Sequence, residues 1–270
     1  MSAVRAVPPA TEPDGPARVE RRAWVEQVMG MPISVHARGD GARDAATADA
    51  VAELFEDLRA ADARFSTYRE DSEIRRLQRG ELTLDDSSAE MREVERLCRT
   101  ARERTAGSFD AWSAHEGTPG VFDPTGLVKT WAVTRAARRL DPLEHLAFAV
   151  GAGGDVLLRP GTEGHTWSVG IEDPQDRRRV IASVPISSGG IATSGVAARG
   201  SHIVDPRNGR SATDLLSATV IGPSLLWADI FATASVALGL DAIGWVETLH
   251  GTSGLLVLAD GTVHRWQNEA

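Results

Sequence analysis

Cysteine is nearly absent: Cys98 is the single thiol in 270 residues. One thiol forms no intrachain disulfide and builds no cysteine metal site. It lies in MREVERLCRTARER, where Met91, Val94, Leu97, Cys98 and Ala101 share one helical face, so it reads as a small core residue. An excess of basic charge is also missing. The net charge of −9 argues against nucleic acid as a general partner, because that affinity rests on neutralising phosphates. The clusters Arg75-Arg76 and Arg177-Arg178-Arg179 stand among acids and turn residues and read as solvated surface. Long apolar runs are scarce too. The opening MSAVRAVPPATEPDGPARVE has four prolines and no apolar stretch of a secretory signal, and no later stretch approaches membrane-spanning length. The expectation is a cytoplasmic chain without membrane insertion, with residues 1–20 a disordered arm and 21–270 one domain. Nucleotide-loop patterns are lacking as well. GAGGD (151–155) has neither the P-loop nor the G-x-G-x-x-G spacing, and a strand follows it, so it reads as a tight corner.

What is present mixes helices and strands without a regular alternation. AWVEQVMGMPISVHARG predicts two strands around Gly30. Val51, Leu54, Phe55, Leu58 and Phe65 recur at helical spacing, predicting a long helix. A second helix is expected at 88–105, with Ser87 and Glu90 as a capping box, and a third at about 125–140. Residues 147–222 are rich in Val, Ile and Gly and read as successive strands. Helices follow at 224–238 and 240–249, then a hairpin turning at Asp260-Gly261. The pattern indicates an α+β fold.

Three polar islands carry candidate chemistry. In SLLWADIFATASVALG, Asp229 and Thr233 are four residues apart and share a helical face that is otherwise apolar. A buried carboxylate there needs a partner or marks a site, and hard oxygens of this type suit Mg²⁺. The competing reading is an Asp favoured by the helix dipole and a Thr bonded back to its own helix. In FDPTGLVKTWAVTRAA, Lys129 either snorkels from an apolar helix or meets phosphate charge at the helix start. In RFSTYREDSEIRRL, Tyr68, the one tyrosine, either stacks on a planar ligand or caps the core. A fourth stretch, SHIVDPRNGR (201–210), sets His202 before an Asp-Pro corner and an Asn-Gly turn. By itself it reads as a strand ending in tight turns.

In order, VMGMPISV, FSTYREDSEI, TAGSFD, DPTGLVKTWAV, GAGGDV, WSVGIEDP, GIATSG, HIVDPRNG and ADIFATA resemble the ApbE family, the FAD:protein FMN transferases, from about residue 24 to 262. The resemblance implies a Mg²⁺-dependent enzyme that splits the diphosphate of FAD. FMN then passes to a Ser or Thr hydroxyl of an acceptor flavoprotein, and AMP is released. It implies Asp229, Thr233 and the carbonyl of Gly126 as Mg²⁺ ligands. It places Met29, Tyr68, Ser108, Phe109, Asp110, Asp123, Lys129 and Ile203 around the flavin nucleotide. His202 would be the general base and Lys129 the cation on the phosphates. Two alternatives use the same residues: hydrolysis of FAD to FMN and AMP, and FAD binding without catalysis. The acceptor is expected in, or facing, the cytoplasm.

The chain departs from the family at several places. Where the family has Lys-Gly-Tyr-Ala-Val-Asp, it reads KTWAVT (129–134), so Thr130 replaces a Gly and Thr134 an acid. Asn208-Gly209 stands for Thr-Gly, and AWSAHEGTPG replaces the usual continuation after SFD. DLLSATV (214–220) faintly resembles the family's acceptor motif, but without its glycine; self-modification is the weaker expectation.

Overall fold

The computed structural model describes residues 19–113, 120–176, 178–195, 204–207 and 209–269. Strands β1 (Arg21–Val28) and β2 (Met31–Arg38) pair antiparallel across the turn Met29-Gly30. Both turn residues have positive φ, 54° and 72°, the mirror-image geometry that matches strand twist. Methionine is unusual in that conformation.

Helix α1 (Ala45–Phe65) buries Val51, Leu54, Phe55, Leu58 and Phe65, as its periodicity predicts. A short helix, α2 (Glu73–Gln78), occupies what reads in sequence as a polar turn. Helix α3 (Ala89–Arg104) is capped by Ser88, whose hydroxyl accepts from Met91 N at 3.1 Å. The expected cap, Ser87, instead donates to the Thr83 carbonyl, and Glu73 of α2 accepts from both the backbone and the hydroxyl of Ser88. The reciprocal half of the capping box therefore comes from another helix, not from Glu90. Cys98 on α3 is fully buried, and burial pushes its thiol up to about 12. It is an inert core residue.

Helix α4 (Thr125–Ala136) continues into a 3₁₀ segment, Ala137–Leu143. Then come β3 (Ala147–Ala152), β4 (Asp155–Arg159), β5 (Trp167–Glu172), β6 (Val180–Ile186), β7 (Gly189–Gly195), β8 (Val204–Asp205), β9 (Arg210–Ser211) and β10 (Leu215–Gly222). Helices α5 (Leu225–Leu238) and α6 (Ala242–Val246) precede the hairpin β11 (Ser253–Leu258) and β12 (Val263–Gln267). Eight strands form one antiparallel sheet in the order β1-β2-β3-β4-β7-β10-β11-β12. Both GAGGD glycines of the β3–β4 corner, Gly153 and Gly154, have positive φ, as a tight corner requires.

The sheet buries both faces, and its strands alternate accordingly. Phe148, Val150, Ala192 and Leu256 join the large core under α1, α4 and α5. Ala149, Ile191, Leu255 and Val257 point the other way, against Ile171 and Ile186 of the β5–β6 hairpin. The start of α5 presses on β7: a Cβ at Gly190 would lie 2.4 Å from Leu225 Cα. One correction concerns apolar length. Leu225–Val246 is long and apolar enough to cross a membrane by composition, and 67% of it is buried in the fold. The segment DLLSATV lies largely in β10, an interior strand, with Ser217 and Thr219 buried, which removes its hydroxyls as acceptors in the folded chain.

Candidate functional site

Two of the polar islands, those of Lys129 and of Asp229 and Thr233, converge where α4 and α5 meet the end of the sheet carrying the β3–β4 corner. Glycine at 153 permits the approach: a Cβ there would stand 2.9 Å from Met31 Sδ and 4.0 Å from Lys129 Cδ. Lys129, four residues past the start of α4, does not snorkel outward. Its amine is ion-paired with Asp155, the first residue of β4, and lies 3.6 Å from Asp229 Oδ2.

Asp155 is fully buried and also accepts from Thr193 N on β7 at 3.1 Å. Burial, reinforced by the negative charge of Asp229, pushes its carboxyl up to about 7, against the pull of Lys129 and the Thr193 amide. On the opposite face of the sheet the Thr193 and Thr219 hydroxyls bond at 2.8 Å, tying β7 to β10. Sequence reasoning missed Asp155 as a site residue. Its signal was present: a carboxylate opening a strand just after a glycine corner.

Asp229 is 3% exposed. The dipole reading fails for it, since Ser224 caps α5 and Asp229 is the fifth helical residue. Its partner lies across the helix interface: Thr130 Oγ1 donates to Asp229 Oδ2 at 2.9 Å. Thr233, one turn on, is not bonded back to its own helix either; it shares a 2.9 Å hydroxyl bond with Ser194 on β7. Asp229 and Thr233 are thus presented together. Thr134 donates to the Thr130 carbonyl at 2.7 Å, so both unusual threonines of KTWAVT have defined roles.

The start of α4 is held to the turn after α3. Ala106 and Gly107 adopt φ of 48° and 82°, closing α3 and delivering Ser108-Phe109-Asp110. A Cβ at Gly126 would lie 3.3 Å from Phe109 Cε2, so the phenyl ring rests on the first turn of α4. Asp123 joins the same corner: its N–H donates to Ala111 O at 2.8 Å, and its carboxylate accepts from Thr125 N at 3.0 Å. Asp110 is engaged by Arg102 at 3.2 Å and by Trp112 N at 2.9 Å. Ser108 Oγ is buried with no hydrogen-bond partner among the described residues.

Met29 sits in its strained turn, packed against the core at the end of the sheet where Met31 meets Gly153. Tyr68 is 94% exposed, so it does not cap the core. His202 and Ile203 lie outside the described residues. Among the described residues no three His, Cys, Asp or Glu side chains gather as a metal set. A cation here would take one carboxylate plus neutral oxygens, the kind of set Mg²⁺ completes with phosphate oxygens and water.

Comparison with known proteins follows the same lines. A curated FAD:protein FMN transferase of Klebsiella pneumoniae is 32% identical over 155 residues, 53% of this chain and 44% of that protein. A Salmonella typhimurium protein of the same name is 31% identical over 142 residues, 48% of this chain and 41% of its own. The chain thus aligns with less than half the length of these curated relatives. In fold, an ApbE protein of Thermotoga maritima superposes with a TM-score of 0.78 at 20% identity, covering 92% of this chain and 97% of its own. The Pseudomonas stutzeri flavinyl transferase ApbE gives 0.75 at 21% identity, with 92% and 95% covered. The family model for ApbE matches residues 29–116 and 114–256, most of the chain, and on that match the protein belongs to the ApbE family.

Proposed function

We propose that this protein transfers the FMN half of FAD to a Ser or Thr hydroxyl of an acceptor protein and releases AMP. The acceptor oxygen bonds to the FMN phosphorus as the diphosphate P–O bond breaks, AMP departs with that oxygen, and the hydroxyl proton passes to a base. The reading is supported above all by the buried carboxylate of Asp229, aligned beside Lys129 at one meeting of α4, α5 and the sheet.

The sequence resemblance assigns Asp229, Thr233 and the Gly126 carbonyl to Mg²⁺, oxygen donors of the kind that cation takes; when bound, it would supply charge neutralisation on the diphosphate. Lys129 adds a positive charge held in place by Asp155, and positioning of this kind is most of what phosphoryl transfer asks of a protein. Ser108 offers the nucleotide a hydroxyl with no internal partner. His202 is assigned the base role from the sequence resemblance, since neutral imidazole takes a hydroxyl proton near neutral pH.

The test is nucleotide release and mass spectrometry on purified protein with FAD and Mg²⁺, with and without acceptor-motif peptides. Mg²⁺-dependent AMP release with an FMN mass increment on the peptide is the expected result, lost in Asp229→Ala. AMP and free FMN without any increment would establish a hydrolase instead. FAD bound with no AMP formed would establish a carrier.

A further inference from the structure

We propose that Thr130 is a positioning residue that divides the work of the two Asp229 oxygens, reserving one of them for the cation. The inference rests on the reading of Asp229 as a metal ligand. Both contacts of the Asp229 carboxylate fall on Oδ2: the Thr130 hydroxyl at 2.9 Å and the Lys129 amine at 3.6 Å. Oδ1 has no hydrogen-bond partner among the described residues and is the oxygen left for a cation.

Thr130 is itself fully buried, and its χ1 freedom is restricted by its β-branch. Its hydroxyl has a second acceptor nearby, the Leu127 carbonyl at 3.3 Å, but the shorter and charge-assisted bond to Asp229 takes the proton. The donor is therefore fixed in place by its own helix. It locks the plane of a carboxylate carried by a different helix, and no other described hydrogen bond orients that carboxylate. A hydroxyl in such a place raises ligand order without touching the metal, and losing such a partner typically weakens metal affinity by about 10–100-fold.

Thr130 thereby acts on cation binding through Asp229, and a residue without a hydroxyl at this place would weaken cation binding in this chain.

The test is titration of the purified full-length protein with Mn²⁺ as probe, read by calorimetry and by loss of the free Mn²⁺ electron-spin signal, alone and with FAD present. Thr130→Val keeps the shape and removes the hydroxyl; the expected result is about tenfold weaker Mn²⁺ binding. Thr130→Ser keeps the hydroxyl and is expected to bind within about threefold of the parent, a smaller loss than an absent outer-shell partner gives. Thr130→Gly is expected to weaken binding like the valine variant and replaces it if valine does not fold. Thermal unfolding without metal runs alongside. Loss of melting temperature in valine and glycine variants with unchanged Mn²⁺ affinity would assign Thr130 a packing role and overturn the proposal. Tighter binding by the glycine variant would also overturn it, showing the side chain to be an obstruction. If the parent binds no Mn²⁺ even with FAD, the cation site itself fails and the proposed function with it. Equal affinity of parent and variants removes only the role of Thr130.

Discussion

Two clusters share the same strands but lie on opposite sides of the sheet and follow opposite rules. Under the β5–β6 hairpin, Leu158, Ile171, Ile186, Ile191 and Val257 form a dry apolar patch. At the corner end, Asp155, Lys129, Asp229 and Thr130 form a chain of buried or half-buried polar contacts, anchored by the backbone amide of Thr193. Strand β7 serves both, with the Ile191 side chain in the first and Ser194, bonded to Thr233, on the side of the second. Apolar burial stabilises without regard to direction, whereas the polar cluster holds only if each partner is met in register. The first cluster should govern stability, and the second chemistry.

The sharpest way to break that contrast is Asp229→Ala. AMP release should fall by about 10²–10³-fold, the loss typical of removing a group that acts on developing charge. Folding should survive, because Lys129 keeps Asp155 as its partner. A protein that unfolds instead would show the polar cluster to be structural. Next in size is Ile171→Ala in the dry patch, expected to cost about 2–5 kcal/mol in chemical denaturation while AMP release per folded molecule stays unchanged. A change in that rate would couple the two sides of the sheet.

A smaller effect is expected from pH. A carboxyl held in the folded state above its ordinary value favours folding while protonated. For Asp155 that contribution is full below 3.8, its ordinary value, and fades as pH climbs through about 7. Urea midpoints should therefore decline across that window in the parent and decline less in Asp155→Asn. Identical profiles would show that Asp155 does not carry the proton. The smallest change is Thr193→Val, which leaves the buried Thr219 hydroxyl without its bond; a loss of about 1 kcal/mol is expected with catalysis intact.

The contrast also explains what was legible in the sequence. Apolar periodicity is a local signal, so α1, α3, α4, α5 and the strand alternation could be read directly. Asp229 and Thr233 were legible for the same reason, being one helical turn apart. Asp155 was not, because its meaning depends on Lys129, which reaches it only through the packing of α4 on the sheet corner. The role of Thr130 was hidden likewise: the sequence showed a replaced glycine but not the carboxylate on α5 that its hydroxyl meets. Helix α2 has six residues, too few to show a period. The Ser87–Ser88 error is of another kind. Adjacent serines are equivalent as sequence, and only the position of Glu73 on a neighbouring helix distinguishes them.

Gly190 has a consequence for the site it never touches. Leu225, the first residue of α5, sits where a methyl group on residue 190 would have to be. The helix is thereby seated on the strand backbone like a beam on its footing, and its height above the sheet is set by a missing atom. Asp229 and Thr233 stand one and two turns along that beam. A Gly190→Ala replacement would lift the near end of α5 and tilt both oxygens away from Lys129 and Ser194, misaligning the site from a strand that contributes none of its charge.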